Sequence, residues 1–542
     1  MPKYCRAQAI SRESVLSGTV ADYVITSLKQ RGTRRMFGVP GGGSSLDLIE
    51  AGAREGVDFV LAQTETGAAL MAAVTAELSG APGVVLTGVG PGAASAVNGI
   101  AYASLEKSPV VLLTDRQGAG PSLHQVFDQQ ALYRPLTKGS CHLTGENVDD
   151  FQGLLSIATA HPYGPVHVDL TAEDASRPAT PTSSLPDVNI EQITGDMASA
   201  HDLLRQSRKP VILVGFDARS GDTAQHLRLL SEGLNAPVLT TYKAKGVFPD
   251  DAPRMIGMFT GAAAERESIS EADLIILYGL DPVELIPGPW PYIAPVLELS
   301  PTAGHQQPVK PAAGIYGPLH NIVASLQPTL KPGDWAEEEI SVLRKRMSER
   351  LALSTPGLNA ETVTRAVQAA APQGTRLTVD AGAHMISAMA TWQASEPFGA
   401  LKSNGLSSMG FALPAAIASA LEQPDVPVVA ITGDGGMTMC IGELATARRA
   451  GGKIVCVVLN DASLSLIDIK QQRRQQASIG VTYPQSNFAK VAEGFGCRGW
   501  RVGPEDDLEA ALTAAFDCDG PAVVDVTVDA TGYAAQLEAL RG

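Results

Sequence analysis

The sequence lacks the cysteine pairs and the long apolar runs that mark secreted and membrane-spanning proteins. Its six cysteines are scattered and include no CxxC pair, so free thiols in a reducing compartment are predicted, not a disulfide framework or a cysteine metal cluster. No run of 18 apolar residues is present, and the first residues contain no apolar core of the length that a signal peptide needs. We therefore expect a cytoplasmic protein without a membrane span.

The chain also has no surplus of basic residues. Lys and Arg number 41 against 57 Asp and Glu, which gives a formal net charge of −16. An acidic chain repels the phosphates of nucleic acids and anionic lipids. Hydrophobic residues, at 44%, are numerous enough for several buried cores. This composition predicts a globular protein that binds neither nucleic acid nor a membrane.

Short apolar runs alternate with longer amphipathic stretches along the chain, which is typical of parallel sheets flanked by helices. The runs are rich in Val, Ile and Leu and are bounded by Gly, Pro or Asp, as expected for strands covered on both faces. A helix is predicted over 439–449. The predicted strands are 58–62, 83–87, 110–114, 166–170, 211–214, 237–240, 274–278, 296–299, 376–379, 426–432, 454–459 and 522–527.

Two breaks divide these strands into three groups. The segment 176–186 is rich in Pro, Ser and Thr and is interpreted as a linker, and a second break near Pro328 leads into a charged helical stretch at 336–350. Each group has the size of an ordinary domain. We predict an α/β protein with three doubly wound parallel-sheet domains, at residues 14–180, 190–330 and 356–535.

Two strands of the last group end in an aspartate. One leads into Gly-Asp-Gly-Gly at 433–436, and the next ends in Asn-Asp at 460–461. The ends of neighbouring parallel strands face one crevice, where glycines let the backbone approach a diphosphate closely. We predict that Asp434, Asp461 and the backbone carbonyl of Ser463 hold one Mg²⁺ there.

These two segments together resemble the GDG…NN motif of thiamine-diphosphate-dependent enzymes, in the group of acetolactate synthase, pyruvate oxidase and benzoylformate decarboxylase. The second Asn of that motif is Asp461 here, which keeps an oxygen ligand and adds a negative charge. NGLSSMG at 404–410 resembles the family's GGLG-x-MG, and DAGAH at 380–384 resembles its GQH loop. The resemblance implies a diphosphate-binding domain whose cofactor-binding residues are Gly382, His384, Ser407, Met409, Gly433, Asp434, Gly435, Gly436 and Asp461.

The N-terminal domain resembles the pyrimidine-binding domain of the same family. FGVPGGG at 37–43 is similar to the family's FGVPGG loop, which implies that Gly41 and Gly42 lie near the substrate. Glu65 matches the glutamate that hydrogen-bonds the pyrimidine ring and so activates the cofactor. On the loop SLHQVFD, either His124 or Gln125 is the polar residue expected to face the substrate, and the sequence leaves this choice open.

The middle domain lacks the residues that accompany FAD in flavin-dependent acetolactate synthases. The segment 272–284 reads ADLIILYGLDPVE, without the arginine of the RFDDR-like stretch, and GMFTG stands at 257–261 where GMHG is common. No GxGxxG is present in this domain. The predicted cofactors are therefore thiamine diphosphate and Mg²⁺, without FAD.

The resemblance implies an enzyme that decarboxylates a 2-oxo acid and ligates the resulting acyl carbanion to an acceptor carbonyl. Gly42 stands where simple pyruvate decarboxylases carry an acidic residue, and His124-Gln125 stands where they carry a His-His pair. Proton donors that would release a free aldehyde are thus missing, which favours ligation. A 2-oxo acid decarboxylase or aldehyde lyase, and a catalytically silent cofactor-binding subunit, are the alternatives.

Two further expectations concern partners. Relatives pair the N-terminal domain of one subunit with the C-terminal domain of another, so a homodimer or homotetramer with active sites at the subunit interface is implied. Lys470, Arg473 and Arg474 follow the second aspartate. They are predicted to lie on a solvated helix face, with contact to an anionic substrate as the alternative.

Overall fold

The computed structural model describes residues 18–118, 124–181 and 192–542. The chain divides into two compact units, Met1–Val188 and Asn189–Gly542. Several predicted features lie outside the described residues: Cys5, the domain limits at 14 and 190, residues 122–123 of the substrate loop, and residues 182–186 of the predicted linker.

The first unit is built on a six-stranded sheet. Its strands are β1 (Arg35–Val39), β2 (Asp58–Leu61), β3 (Gly83–Thr87), β4 (Val110–Asp115), β5 (Ser140–His142) and β6 (Val166–Leu170). They are all parallel, in the order β2-β1-β3-β4-β6-β5. The helices are α1 (Val20–Gln30), α2 (Ser44–Glu55), α3 (Glu65–Ser79), α4 (Pro91–Ser95), α5 (Val97–Leu105), α6 (Gln129–Tyr133), α7 (Val148–Ala158) and α8 (Ala172–Ser176).

The second unit contains two sheets, of which the first has seven strands. These are β7 (Thr194–Gly195), β8 (Pro210–Val214), β9 (Val238–Thr240), β10 (Met255–Met258), β11 (Leu274–Tyr278), β12 (Val296–Ser300) and β13 (Ala313–Tyr316). Their order is β10-β9-β8-β11-β12-β13-β7, and only β7 is antiparallel to its neighbour. The accompanying helices are α9 (Met197–Gln206), α10 (Gly221–Leu234), α11 (Arg266–Ser270) and α12 (Leu319–Leu326).

The last sheet has six parallel strands. They are β14 (Arg376–Val379), β15 (Ala400–Lys402), β16 (Val428–Gly433), β17 (Ile454–Asn460), β18 (Arg498–Val502) and β19 (Ala522–Thr527). The order β15-β14-β16-β17-β19-β18 repeats the order of the first sheet strand for strand. The helices are α13 (Glu337–Leu351), α14 (Ala360–Ala370), α15 (His384–Thr391), α16 (Ala412–Glu422), α17 (Asp434–Cys440), α18 (Glu443–Ala450), α19 (Ser465–Arg473), α20 (Phe488–Gly494), α21 (Leu508–Asp517) and α22 (Tyr533–Arg541).

Helix α13 joins the two sheets of the second unit. One face of it buries Ile340, Leu343, Met347 and Leu351, which recur at helical spacing. These side chains belong to one apolar cluster that also contains residues of both sheets. The predicted middle and C-terminal domains are therefore separate sheets that share a core, and the three-sheet α/β fold is confirmed.

Two smaller expectations can be compared with the structure. The helix predicted over 439–449 is wrong, because the chain forms α17 and α18 with a break at Ile441 and Gly442. A glycine at the break lowers the helix propensity, and α17 already begins at Asp434.

All five described cysteines are free. Within the described ranges, no helix is long and apolar enough to cross a membrane.

Candidate active site

A cavity lies at the carboxyl ends of β14, β16 and β17. The chain passes from β14 to β15 on one side and from β16 to β17 on the other, so the loops after β14 and β16 diverge at a topological switch point. Open parallel sheets bind ligands at such points. The cavity has a volume of about 270 Å³, and its lining includes every predicted cofactor and metal residue of this domain: Gly382, His384, Ser407, Met409, Gly433, Asp434, Gly435, Gly436, Asp461 and Ser463.

Asp434 is the first residue of α17 and follows directly on β16. Its carboxylate is buried and accepts three hydrogen bonds. Oδ1 accepts from the Gly435 amide at 2.8 Å and from the Tyr483 hydroxyl at 3.0 Å, and Oδ2 accepts from the Ala462 amide at 2.7 Å. Burial raises the pKa of Asp434, and the three hydrogen bonds oppose this shift. The side chain is therefore fixed in one orientation at the end of the strand.

Asp461 follows β17 and lines the same cavity. Its carboxylate accepts hydrogen bonds from the Ser463 amide at 3.1 Å and from the Ser465 hydroxyl at 2.6 Å. Burial, together with the nearby charge of Asp434, raises the pKa of Asp461 to about 6. A divalent cation between the two carboxylates would remove this repulsion. Carboxylate oxygens are also ligands that Mg²⁺ prefers, so the donor set fits that ion.

The turn that carries Ser463 is held by a segment that the sequence did not single out. Ala462 adopts a left-handed conformation, with φ of 57°. The Leu464 amide donates to the Val481 carbonyl at 2.7 Å, and the Tyr483 amide donates to the Ala462 carbonyl at 3.1 Å. Tyr483 thus contacts both the turn and Asp434. In the sequence, Tyr483 stands in the stretch GVTYP, and this stretch by itself predicts only a loop.

His384 begins α15 and is buried at the floor of the cavity. Burial lowers its pKa to about 4, so the imidazole is neutral at neutral pH. Its Nε2 is buried and has no hydrogen-bond partner among the described residues. The ring lies so close to Gly382 that a Cβ there would come within 2.6 Å of Cε1. An unsatisfied polar atom at this place fits a bound group with phosphate oxygens.

Asp380 directly follows β14 and holds the loops around the cavity by hydrogen bonds. It was not predicted as a site residue. Its buried carboxylate accepts hydrogen bonds from the amides of Gly410 (3.0 Å), Phe411 (2.6 Å) and Ala412 (2.9 Å). It also accepts one from the Thr432 hydroxyl at 2.8 Å. The β16 end and the start of α16 are therefore held by one side chain. In the sequence, the only indication of this role is that Asp380 directly follows an apolar strand.

The 404–410 segment brings Ser407 and Met409 to the cavity. Ser407 has a left-handed backbone, with φ of 54°, and Gly410 has φ of 75°. The side chain of Met409 reaches the glycine turn after β16, because a Cβ at Gly435 would lie 3.3 Å from Met409 Cε. Met409 therefore lies beside the glycines that follow β16.

In the first unit, Glu65 is the first residue of α3. The Thr64 hydroxyl caps this helix by accepting a hydrogen bond from the Gly67 amide at 3.0 Å. The carboxylate of Glu65 points toward Gly92, where a Cβ would lie 3.2 Å from Oε1. Glu65 is half-buried, and a helix N-terminus favours its negative charge. Burial, aided by that charge, raises the pKa of Tyr133.

Asp115, at the end of β4, positions the glycine loop that contains Gly41 and Gly42. It accepts hydrogen bonds from the Gly43 amide at 3.1 Å and from the Ser44 hydroxyl at 2.7 Å. The Ser45 amide and hydroxyl both donate to it at 2.7 Å. A Cβ at Gly41 would lie 2.2 Å from Asp115 Oδ2, whereas Gly42 is exposed with open space around it. Asp115 was not predicted, although it too directly follows an apolar strand.

The structure places His124 and Gln125 next to each other on an exposed turn. Gln125 has a left-handed backbone, with φ of 61°, and its carbonyl approaches Gly90 so closely that a Cβ there would lie 2.4 Å away. The choice between them stays open.

A profile of the C-terminal TPP-binding domain of thiamine pyrophosphate enzymes matches residues 380–526. The N-terminal TPP-binding domain of these enzymes matches residues 18–133, and their central domain matches residues 197–326. The chain belongs to the thiamine pyrophosphate enzyme family. The Glu65 helix, the Gly41–Gly42 loop and all residues that line the cavity of the last sheet except Tyr533 lie within the matched TPP-binding domains.

Individual relatives in this family are acetolactate synthases. The chain is 28% identical to the acetolactate synthase of Bacillus subtilis (strain 168), over 96% of this chain and 94% of that protein. It is 27% identical to the acetolactate synthase isozyme 2 large subunit of Escherichia coli (strain K12), over 94% and 95%. A probable acetolactate synthase large subunit of Methanocaldococcus jannaschii is 28% identical, over 94% and 92%. The similarity therefore spans nearly the whole chain.

Proposed function

We propose that this thiamine pyrophosphate enzyme is a Mg²⁺-dependent carboligase that decarboxylates a 2-oxo acid and joins the acyl unit to an acceptor carbonyl. One observation carries the proposal: a single cavity gathers two carboxylates, a buried imidazole nitrogen without a partner, and a glycine turn. Near full-length similarity to acetolactate synthases supports the type of reaction.

The residues of the cavity have distinct proposed roles. Asp434, Asp461 and the Ser463 carbonyl hold Mg²⁺, and His384 hydrogen-bonds the diphosphate. Glu65 is the carboxylate that binds the pyrimidine ring. When bound, thiamine diphosphate supplies a nucleophilic carbon and an electron sink for cleavage of a bond to carbon. The protein's contribution is to orient these groups and to keep the reacting end of the cavity dry.

Two features support ligation over simple release of an aldehyde. Gly42 is exposed and offers no proton donor. The cavity wall that follows the metal turn is apolar, with Leu464, Leu466 and Ile467. An apolar wall keeps water away from the metal turn, and this favours attack on a second carbonyl over protonation by solvent.

The remaining expectations are part of the same proposal. We propose that FAD is not used, because the segment Ala272–Glu284 lacks the arginine described above. We also propose a cytoplasmic homodimer or homotetramer in which active sites lie between subunits. Its substrates are a small 2-oxo acid and a carbonyl acceptor.

Product analysis tests the reaction type. The purified protein is incubated with thiamine diphosphate, Mg²⁺ and a panel of 2-oxo acids and aldehydes, and the products are identified by NMR. A 2-hydroxy ketone or acetohydroxy acid is expected. A free aldehyde as the main product would replace the proposal with a decarboxylase or lyase, and the absence of product across the panel would favour a silent cofactor-binding subunit.

A further inference from the structure

Lys470 lies on α19 and lines the cavity together with Leu466 and Ile467. Positions three and four apart on a helix share one face, so these three side chains form a continuous wall. Lys470 is exposed, and its ammonium group makes no hydrogen bond or ion pair within the described part of the chain. The solvated face predicted for this helix is therefore also a cavity wall at this position.

The charges around the cavity make Lys470 distinctive. Among the described lining residues, it is the only Lys or Arg. Asp434 and Asp461 are assigned to the metal, and burial keeps His384 neutral. Arg473, on the same helix, lies instead near the Ala534 carbonyl (3.4 Å) and Glu538 (4.0 Å). The cavity thus has one cationic group that forms no ion pair with residues 18–118, 124–181 or 192–542.

Lys470 lies further along α19 than the residue that contacts the metal turn. Ser465 begins α19 and donates its hydroxyl to Asp461. Lys470 is five residues further on, which corresponds to about 7.5 Å along the axis. The apolar side chains of Leu466 and Ile467 occupy the interval. A diphosphate bound to the metal would therefore lie at one end of this wall and the ammonium group at the other.

The proposed reaction restricts the kind of anion that Lys470 could serve. The carboxylate lost in decarboxylation gives up its charge in the transition state, so an ammonium group that binds it stabilises the ground state more and slows the step. An anionic group that the substrate keeps throughout is bound equally in both states. Between these two kinds of anionic group, only the retained one can be bound by Lys470 without slowing decarboxylation.

Resting on the proposed function, we propose that Lys470 binds a second anionic group of the substrate, one that is retained in the product. The substrate class is then a 2-oxo acid donor or a carbonyl acceptor with an additional negative charge. An anionic donor and an anionic acceptor would contact the ammonium group in the same way, and the experiment distinguishes the two.

The test compares Lys470→Met, which keeps the length of the side chain, with Lys470→Arg, which keeps the charge. Arg474→Gln is the matched control, because Arg474 follows the same helix and does not line the cavity. The donor arm measures kcat/KM for release of CO₂ from pyruvate, 2-oxoglutarate and 3-sulfopyruvate. The acceptor arm uses pyruvate as donor with acetaldehyde or succinic semialdehyde as acceptor.

In each arm, kcat/KM for the more anionic substrate is divided by kcat/KM for the less anionic one. In one of the two arms, this ratio should be about ten-fold lower in Lys470→Met than in the wild type, because one charge-assisted hydrogen bond is lost. Lys470→Arg should retain most of the ratio, and Arg474→Gln should not alter it. The arm that responds identifies donor or acceptor.

Three results would overturn the inference. If the wild type is active and its ratios equal those of Lys470→Met, Lys470 does not bind the substrate. The proposed function would not be affected by that result. Weaker thiamine diphosphate binding by Lys470→Met in calorimetry, with unchanged ratios, would make Lys470 a diphosphate ligand instead. A wild type that releases no CO₂ from any donor would end both proposals.

Discussion

Glu65 is held at the N-terminus of α3, with its carboxylate against Gly92 and its helix capped by Thr64. Its proposed role is to hydrogen-bond the cofactor ring and promote proton removal. Glu65→Gln keeps the size and removes the charge. We expect turnover to fall by about 100-fold or more, as for loss of a general acid–base group. The measurement is initial rate with the best donor of the product panel.

The binding of cofactor separates this role from a structural one. Glu65→Gln should still bind thiamine diphosphate and Mg²⁺ in calorimetry, since the residues proposed to hold the metal and the diphosphate belong to the domain of the last sheet. Glu55→Gln, on the exposed end of α2, is the control and should keep full turnover. Wild-type rates in Glu65→Gln would refute the activating role.

His167, on β6, links protonation to stability. Burial lowers its pKa to about 4, and its Nε2 lies 2.8 Å from the Thr114 hydroxyl oxygen. An unfolded histidine titrates near 6.5, so between pH 6.5 and 4 the unfolded chain binds a proton that the folded chain does not. The free energy of unfolding therefore falls as the pH falls through this range. This group should remove about 2 kcal/mol between pH 7.5 and pH 5.

The variant His167→Gln checks this expectation. Glutamine still offers Thr114 a partner and does not titrate, so the loss of stability on acidification should be smaller. Urea unfolding of both proteins at pH 7.5 and pH 5 gives the comparison. An equal loss in both proteins would contradict a neutral buried imidazole at this position.

At the scale of elements, the first turn of α17 depends on a glycine. A Cβ at Gly436 would lie 2.0 Å from Asp380 Oδ2, the carboxylate that also binds the start of α16. Gly436→Ala must therefore displace the turn or break the Asp380 hydrogen bonds. We expect a loss of about 1–3 kcal/mol in the free energy of unfolding, the usual cost of overpacking, and weaker cofactor binding.

Gly494→Ala is the matched control for this substitution. Gly494 ends α20, and a Cβ there would meet no atom within 4 Å. Alanine should be neutral or slightly stabilising at that site, because it restricts the unfolded chain. Thermal unfolding and calorimetric titration with thiamine diphosphate measure both effects. Equal behaviour of the two variants would show that the space around Gly436 is not limiting.

The sequence predicted most inner strands of the three sheets, although it gave no bounds for β1 or β13, and it missed five of the six edge strands. Strands β3, β6, β11 and β14 have the predicted bounds, and each is buried along its whole length. The edge strands β5, β7, β10, β15 and β18 were not predicted. A strand covered on both faces is a continuous apolar run, whereas an edge strand such as Arg498–Val502 carries polar residues and leaves no such pattern.

At the scale of the whole molecule, the site residues are divided between two compact units. Glu65 lies in the first unit, and Asp434 lies in the second. If active sites form between subunits, Glu65 of one subunit must serve the cavity of another. Two inactive variants could then complement each other, because a mixed dimer contains one site in which both residues are intact.

Co-expression of Glu65→Gln with Asp434→Ala tests this arrangement. With random pairing, half of the dimers are mixed, and each mixed dimer has one intact site out of two. Activity should therefore return to about a quarter of the wild-type value. Each variant alone, purified in the same way, is the control. Activity no greater than the sum of the two controls would show that Glu65 and Asp434 act within one chain.

The sequence by itself determined the three-sheet α/β architecture, the family, and which residue types would gather around a diphosphate. These features depend on local patterns: apolar runs, glycine turns and aspartates at strand ends. Only the tertiary structure identified Asp380, Asp115 and Tyr483 as residues that hold the site loops in place. It also placed Lys470 on the cavity wall. Their partners are distant in the chain, and only packing of the sheet and helices decides which polar side chains meet.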